Sequence, residues 1–273
     1  MRIWGWTVLL VACLARAMAP VHAADVNTSA TLIYYDMAGN ETLDPAETQN
    51  NSSYSHEALL AIYEPLIRLN DAGNPEGGLA ESWTRNGDLT EITLKPRHGV
   101  TFDDGTKFDA EAVKRDLERS AALGRRAGTT VFETLNLVSA IELQGDDGVK
   151  LKLKAPSGQI EFWLGSNPGM MISPASLTEG AIGPTLNPVG AGPYKLKRFD
   201  ANVTTFTVRF QDYWGGTKNR PAGFEHHYVP DGRARLNALR SGQANIALID
   251  PRQIPEAKAA GLAIQVVEKN ARC

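Results

Sequence analysis

The fold of this chain is decided by one stretch, Asn187–Phe206, which reads NPVGAGPYKLKRFDANVTTF. The glycines and the proline between Gly190 and Tyr194 predict a turn that begins a strand, because these residues supply the backbone angles that turns require. Two alternating segments separated by a polar tip follow, and this pattern predicts a β-hairpin. Tyr213 and Trp214 come soon afterwards and are interpreted as packing anchors of the core. The sequence contains no GxxxxGK[ST] phosphate loop, so the glycines are interpreted as structural.

Four further motifs precede this hairpin in order along the chain. They read LDPA, YEPL, LAESW and GVTFDDGTKFDAEAV at Leu43–Ala46, Tyr63–Leu66, Leu79–Trp83 and Gly99–Val113. Together with the hairpin, these motifs resemble those of the family 5 extracellular solute-binding proteins. That family comprises the peptide-, nickel- and opine-type receptors of bacterial ABC importers. The resemblance covers about residues 31–250.

This resemblance implies an α/β fold of the periplasmic-binding-protein type, type II-like and built as a clamp (a Venus flytrap), with an extra α+β lobe. It implies an export signal over residues 1–23 and an extra lobe over residues 51–177. The first lobe would be built from residues 24–50 and 178–273. Full-length members of the family are much longer. We therefore expect this chain to be the N-terminal half of a receptor, with the opposite ligand-binding lobe absent from it.

Local patterns predict the elements of the first half of the chain. Residues 31–35 are expected to form a buried strand and residues 55–63 a helix with an apolar stripe. Asp109 is expected to cap a helix that runs over about residues 110–123. Residues 141–154 alternate strictly and contain an Asp-Asp-Gly turn, which predicts a hairpin with its lysines facing solvent.

The last third of the chain alternates between strand and helix patterns. Strands are predicted at residues 224–229, 246–249 and 262–267. Between the first two lies a helix that Asp231 is expected to cap and Gly242 to end. A strand-helix-strand order implies parallel pairing with helices on the faces of the sheet.

The N-terminal residues are typical of an export signal. Arg2 precedes an apolar segment, Ile3–Ala15, and Val21–Ala23 places small residues at the two positions that define a cleavage site. An alternative is that Leu10–Cys13, which reads LVAC, forms a lipoprotein cleavage box in which Cys13 carries the lipid. The first interpretation predicts a periplasmic protein, and the second predicts a lipoprotein anchored to the membrane.

The composition excludes several classes of function. The 273 residues carry a formal net charge of -3 and no basic block, so nucleic-acid binding is not expected. After Thr28 no apolar run approaches the roughly 18 residues that a membrane-spanning helix needs. Cys13 and Cys273 are the two cysteines, and Cys13 lies in the export signal, so no internal disulfide is expected in the secreted form.

The resemblance implies candidate ligand contacts in two places near the N-terminus. Tyr35, Asp36 and Met37 directly follow the first predicted strand, and Tyr54 and His56 lie at the start of the first predicted helix. An alternative for the histidine is an ordinary solvent-exposed position at the beginning of a helix.

Three more candidates lie in the predicted extra lobe. Arg125 and Arg126 follow the helix that Asp109 caps, in a region that contacts the ligand in nickel- and peptide-type members of the family. A guanidinium could clamp a carboxylate with two hydrogen bonds, and the alternative is a pair of solvated surface arginines. Trp163 could stack on a ligand or, alternatively, belong to the core.

Neither a metal site nor a catalytic site is predicted. His226 and His227 are neighbours on a predicted strand, so they point to opposite faces and cannot chelate one ion. The chain has no HExxH motif, no cysteine cluster and no GxSxG elbow. Asp103 and Asp104 are interpreted as part of an Asp-Gly turn rather than as a catalytic pair. No cofactor is therefore expected.

The expected function is that of an extracytoplasmic receptor. The resemblance implies a monomer without enzymatic activity, which captures a peptide or a similar small polar solute between two lobes and delivers it to an ABC permease in the membrane. One alternative is a truncated, non-transporting remnant or a partial sequence of such a receptor, because residues 268–273 fall where the chain would cross into the other lobe. An exported hydrolase is a further, weaker alternative.

Overall fold

The computed structural model describes residues 27–48, 53–145, 147–177 and 188–265. The predicted export signal, Cys13 and Cys273 lie outside the described residues. The strands are β1 Thr31–Asp36, β2 Ile67–Leu69, β3 Pro75–Gly77, β4 Ala80–Arg85, β5 Glu91–Pro96, β6 Val138–Gln144, β7 Gly148–Leu153, β8 Tyr194–Asp200, β9 Thr204–Arg209, β10 Gly223–Tyr228 and β11 Ile246–Ala247. The helices are α1 Ser53–Ile62, α2 Ala110–Ala127, α3 Thr130–Leu135, α4 Ile160–Leu164, α5 Gly232–Ser241 and α6 Ile254–Ala259.

A five-stranded sheet joins the two ends of the described chain. Its strand order is β11-β1-β10-β9-β8, and β1 runs parallel to both of its neighbours. Tyr34 lies opposite His226 on one side and Ile246 on the other. The parallel pairing predicted for the last third of the chain is thus confirmed for β10 and β11. We call this sheet and the helices on it the five-stranded lobe.

Helix α5 begins and ends where the sequence predicts. The Asp231 carboxylate accepts a hydrogen bond from the Ala234 amide at 2.6 Å, which satisfies one of the free amides of the first turn. Gly242 ends the helix in the left-handed conformation, with φ of 75°. The connection from β10 through α5 to β11 places one strand on each side of β1, and both run parallel to it.

Two strand predictions need correction. Residues 31–35 of β1 are half-buried rather than buried, because β11 pairs with only Tyr34 and Tyr35 and leaves most of that edge uncovered by a strand. Residues 262–265 do not form a strand, and the rest of that predicted strand, 266–267, lies outside the described residues. Gly261 has φ of 77° and the Leu262 amide donates to the Ala257 carbonyl, so this segment ends α6 instead.

A second sheet forms the four-stranded lobe. Its order is β4-β5-β7-β6, all pairs are antiparallel, and α2 and α3 lie beside it. The hairpin predicted over residues 141–154 is formed by β6 and β7. The cap predicted for α2 is confirmed, since the Asp109 carboxylate accepts a hydrogen bond from the Ala112 amide at 3.0 Å. Helix α2 runs four residues further than the predicted end. The large apolar core of the molecule lies under this sheet.

The glycines that precede the β8–β9 hairpin allow it to approach α1 closely. A Cβ atom at Gly190 would lie 2.1 Å from the Ile62 carbonyl oxygen, and one at Gly192 would lie 2.6 Å from it. The Gly192 amide donates to that same oxygen at 2.9 Å. The hairpin can therefore enter β8 directly against the end of α1, and the structural interpretation of these glycines is confirmed.

Helix α1 shares a small core with this hairpin. Leu59, Ile62 and Tyr63 are fully buried, and Leu196 and Phe199 of β8 pack against them. The proposed division of the chain at residue 51 assigns α1 to the extra lobe, whereas its apolar face contacts the five-stranded lobe. That division stays a prediction.

Tyr213 and Trp214 anchor the segment after β9. Tyr213 is buried, and its hydroxyl donates to the Glu64 carboxylate at 2.7 Å. Trp214 packs partly buried against the large core, with the guanidinium groups of Arg68 and Arg97 lying 4.8 Å and 4.4 Å from the centre of its ring. The predicted packing role of both residues is confirmed.

Candidate functional site

The candidate site lies at the carboxyl end of β1. This strand runs parallel to β10 and β11, so the carboxyl ends of the three strands meet at one edge of the sheet. Ligands of open α/β sheets bind outside that edge, because the loops that leave the strands diverge there. Tyr35 and Asp36 end the strand, and Met37 follows with 45% of its surface exposed.

Asp36 and His226 form a buried polar pair at this edge. Both side chains are 0% exposed, and the Asp36 Oδ2 atom lies 3.3 Å from His226 Nε2. The other carboxylate oxygen, Oδ1, accepts from the Met37 amide at 2.6 Å. The His226 Nδ1 atom is buried and has no hydrogen-bond partner in the described part of the chain.

Glu57 of α1 brings a second carboxylate to the pair. Ligand atoms of Asp36, Glu57 and His226 all lie within 4.8 Å of one another, although Glu57 itself is exposed to solvent. Desolvation, followed by the charge of Asp36, raises the pKa of Glu57 to about 7. We call these three residues the Asp-Glu-His cluster.

The two neighbouring histidines lie on opposite faces of β10, as predicted. The His226 ring stacks on Tyr34 with 4.7 Å between ring centres, and the His227 ring lies 4.9 Å from Tyr35. His227 also pairs with Glu225 at 2.9 Å. The prediction that the two histidines point to opposite faces is confirmed, but sequence reasoning missed that His226 meets carboxylates from β1 and α1.

His56 is half-buried rather than exposed at its helix terminus. Its Nδ1 atom lies 2.9 Å from the Asn167 side-chain oxygen, and burial lowers the pKa of the ring. Asn167 is itself buried, in the short 3-10 turn Asn167–Gly169. The solvent-exposed alternative for this histidine is therefore wrong, and its proposed contact with a ligand stays a prediction.

The remaining predicted contacts are spread over three elements. Tyr54 lies in α1, and Arg125 and Arg126 lie in the last turn of α2; the structure describes their backbone and not their side chains. Trp163 lies in α4, partly buried against the large core of the four-stranded lobe. The structure thus brings Tyr35, Asp36 and Met37 together at one sheet edge and sets Trp163 against the other lobe.

Asp103 and Asp104 belong to a turn. Gly105 has φ of 87°, and the Thr106 amide donates to Asp104 Oδ1 at 2.8 Å. Desolvation is the main cause that raises the pKa of Asp103 to about 6, while the carboxylate of Asp104 is bound by the Ser173 hydroxyl at 2.7 Å. The turn interpretation of this pair is confirmed.

None of the described helices combines the length and the apolar character that crossing a membrane requires.

Comparison with known families gives one match over most of the chain. Residues 74–271 match the family described as "Bacterial extracellular solute-binding proteins, family 5 Middle". Among curated proteins, the chain is 30% identical over 211 residues to the glutathione-binding protein GsiB of Escherichia coli O157:H7. That match covers 77% of this chain and 40% of the relative.

Solved structures resemble the chain over a similar part of their length. The binding protein AgaA of A. tumefaciens R10, solved with agropinic acid, is 29% identical with a TM-score of 0.75, over 84% of this chain and 46% of that protein. An ABC transporter substrate-binding protein from Sinorhizobium meliloti is 28% identical with a TM-score of 0.71, over 85% of this chain and 47% of that protein. The chain thus spans less than half the length of these relatives.

Proposed function

Because this chain belongs to family 5 of the bacterial extracellular solute-binding proteins, we propose that it is the extracytoplasmic solute-binding receptor of an ABC importer. Its relatives are binding proteins rather than enzymes. The proposed cycle is capture of a solute, closure of a hinge and delivery to a membrane permease, and it needs no covalent chemistry. Solute binding would shift the open and closed populations only as far as the solute prefers the closed form.

The sheet edge at the end of β1 carries this proposal. Three parallel strands end there, where the half-buried Tyr35 and the exposed Met37 lie, and the exposed Glu57 of α1 approaches Asp36 at this end of β1. An edge of this kind offers an aromatic ring, a thioether and a carboxylate to a bound molecule. Such a mixture of apolar and polar groups is typical of a small-molecule site.

We infer that the solute is a peptide or a similar small polar molecule. Two relatives support this class, because one is named for glutathione, which is a peptide, and another was solved with agropinic acid. Arg125 and Arg126 are proposed to bind a solute carboxylate, since a guanidinium forms paired hydrogen bonds with that group. Tyr54, His56 and Trp163 complete the proposed set of contacts.

The proposed setting follows from the same family membership. The family is extracytoplasmic, and we propose that residues 1–23 direct export to the periplasm, with a lipid anchor on Cys13 as the alternative. The proposed partner is an ABC permease, and the receptor is proposed to act as a monomer. Residues 24–50 with 178–273, and residues 51–177, are the proposed lobes.

Calorimetric titration of the purified chain tests the solute proposal. The panel contains dipeptides, tripeptides, glutathione and an opine. We expect binding of one of these classes, weakened by Met37→Ala and unchanged by Leu143→Ala, which removes a similarly exposed side chain (41%) in the β6–β7 hairpin. The proposal fails if the panel gives no heat of binding, or if both variants lose affinity equally.

The mass of the native protein from the cell envelope tests the proposed setting. Export with cleavage after Ala23 predicts a mass that lacks residues 1–23, whereas the anchored alternative predicts a lipid-sized addition on Cys13. An intact N-terminus in the cytoplasmic fraction would contradict both.

A further inference from the structure

Asp36 and His226 of the Asp-Glu-His cluster form a long hydrogen bond, and their spacing also suits two ligands of one metal ion. The Asp36 and His226 atoms lie 3.3 Å apart. A charge-assisted hydrogen bond between nitrogen and oxygen is shorter, about 2.7–2.9 Å. Two ligands that bind one zinc-sized ion at about 2.0–2.1 Å in a tetrahedral arrangement are separated by about 3.3–3.4 Å. The observed spacing therefore matches two ligands of one metal ion.

The third group can reach the same point. The ligand atom of Glu57 lies within 4.8 Å of those of Asp36 and His226. Because its side chain is exposed to solvent, Glu57 is the member of the cluster that has room to change rotamer. Two ionised carboxylates held near each other repel, and a bound cation would relieve this repulsion.

The imidazole is held in place for such a role. The rings of Tyr34 and Tyr228 lie 4.7 Å and 4.9 Å from the His226 ring, centre to centre. The hydroxyl of Tyr228 is in turn 3.0 Å from the Thr205 hydroxyl, which restrains the second of these rings. With Asp36 and His226 both fully buried, the cost of removing these polar groups from water is large unless a strong partner compensates it.

We propose that Asp36, Glu57 and His226 form a binding site for a divalent first-row transition metal ion. One imidazole and two carboxylates suit Zn²⁺, Co²⁺ or Ni²⁺, whereas Mg²⁺ and Ca²⁺ favour sites made of oxygen alone. The cluster opens to solvent beside Glu57 and the exposed Met37. An ion there would keep a coordination position for water or for a donor atom of a bound solute.

The three proposed ligands all lie in the five-stranded lobe or in α1. Metal binding by them therefore does not depend on which solute the receptor takes. Its test uses metal ions alone. A failure of metal binding and a failure of the solute panel are therefore separate results.

Cobalt titration of the purified, metal-free chain is the direct test. Four- or five-coordinate Co²⁺ gives visible absorption much stronger than that of the hydrated ion, and competition with Zn²⁺ then yields the zinc affinity. We expect one equivalent to bind with such a spectrum. Glu57→Gln and Asp36→Asn are expected to weaken binding at least about tenfold, the lower end of the cost of losing even an outer-shell partner.

His227→Gln is the matched control. His227 lies next to His226 and also pairs with a carboxylate, Glu225, but it lies on the other face of the strand, and no third ligand approaches it among the described residues. This variant is expected to bind Co²⁺ like the unmodified protein. His226→Gln alters a fully buried ring and can impair folding, so the exposed Glu57 carries the test, with a urea unfolding curve to verify that Glu57→Gln remains folded.

Three outcomes would overturn the proposal. The first is a titration that gives only the weak spectrum of hydrated Co²⁺. The second is binding that Glu57→Gln and Asp36→Asn leave unchanged or that His227→Gln weakens equally. The third is an intense sulfur-to-cobalt charge-transfer band, which would assign the ion to Cys13 or Cys273.

Discussion

The two sheets of this molecule bury different kinds of side chain. In the four-stranded lobe, Ile92, Leu94, Val149 and Leu151 are all 0% exposed and form an apolar layer under the sheet. The alternate residues carry charge pairs in contact with solvent, such as Lys152 with Glu142 at 2.8 Å. This is the regular two-faced pattern of an antiparallel sheet that rests on a core.

The strands of the five-stranded sheet bury polar side chains instead. Asp36 and His226 are 0% exposed, and Thr204, Thr205 and Thr207 of β9 are almost completely buried. The threonine hydroxyls have partners, since Thr204 and Thr207 donate to the His226 and Phe224 carbonyl oxygens. Burial of polar groups costs stability unless they are paired, and the Asp-Glu-His cluster is paired only loosely. The apolar layer of the four-stranded sheet stabilises the fold, whereas the buried polar groups of the five-stranded sheet include two members of the proposed metal site.

The largest expected effect concerns the ion pair that joins the two regions. Arg119 of α2 binds Asp44, which is fully buried in the loop after β1, and lies 3.7 Å from buried Asp116. Arg119→Ala leaves both carboxylates without a cation, so we expect the free energy of unfolding to fall by about 3–5 kcal/mol. Urea unfolding measures the loss.

Arg115→Ala is its control, because Arg115 is an exposed arginine of the same helix. We expect a change within about 0.5 kcal/mol. Equal losses in the two variants would show that the connection between the lobes does not depend on the buried pair.

A truncation in the apolar layer is expected to have the next largest effect. Leu151→Ala removes a fully buried side chain from β7, so we expect a loss of about 2–5 kcal/mol in the free energy of unfolding. Leu143→Ala, in the partner strand but 41% exposed, is expected to cost far less. Cobalt binding by folded Leu151→Ala should be unchanged; a weakened site would contradict the separation of roles between the lobes.

The buried Asp116 should make stability depend on pH. Desolvation raises the pKa of its carboxyl group from 3.8 to about 7 in the folded state. Between these two values the folded chain holds a proton that the unfolded chain releases, so stability falls as the pH rises. One such group contributes a slope of at most about 1.4 kcal/mol per pH unit.

Asp116→Asn should remove this contribution and flatten the profile of unfolding free energy against pH in that window. Asp212→Asn, at an exposed position, serves as the control and should follow the unmodified protein. Parallel profiles for all three proteins would exclude Asp116 as the source.

The smallest effect is expected in a helix cap of the five-stranded lobe. Asp231→Ala removes the acceptor of the Ala234 amide at the start of α5, and we expect a cost of about 0.5–2 kcal/mol. Asp231→Asn keeps a side-chain oxygen and should recover most of that loss. Thermal unfolding curves of both variants check this, and an equal loss in both would mean that the charge rather than the cap is important.

Local patterns were sufficient for much of the fold. The turn at Gly190–Tyr194, the Asp109 cap of α2 and the limits of α5 depend on neighbouring residues, so the sequence displays them directly. The strand predicted at residues 262–267 is absent from residues 262–265, the part that the structure describes. The apolar residues of this segment directly follow α6, and Gly261 ends that helix. Short apolar runs do not by themselves distinguish a strand from a helix end.

The sequence by itself determined the family, the β1–α1 region as a candidate site and the position of Tyr35 and Met37 at the end of a strand. Only the tertiary structure decided that Asp36 meets His226, which lies 190 residues away. That contact depends on the parallel register of β1 and β10, and a shift of one residue would turn His226 to the other face. Likewise, Glu57 reaches the pair because α1 packs on the hairpin of β8 and β9, a long-range contact that no local pattern encodes.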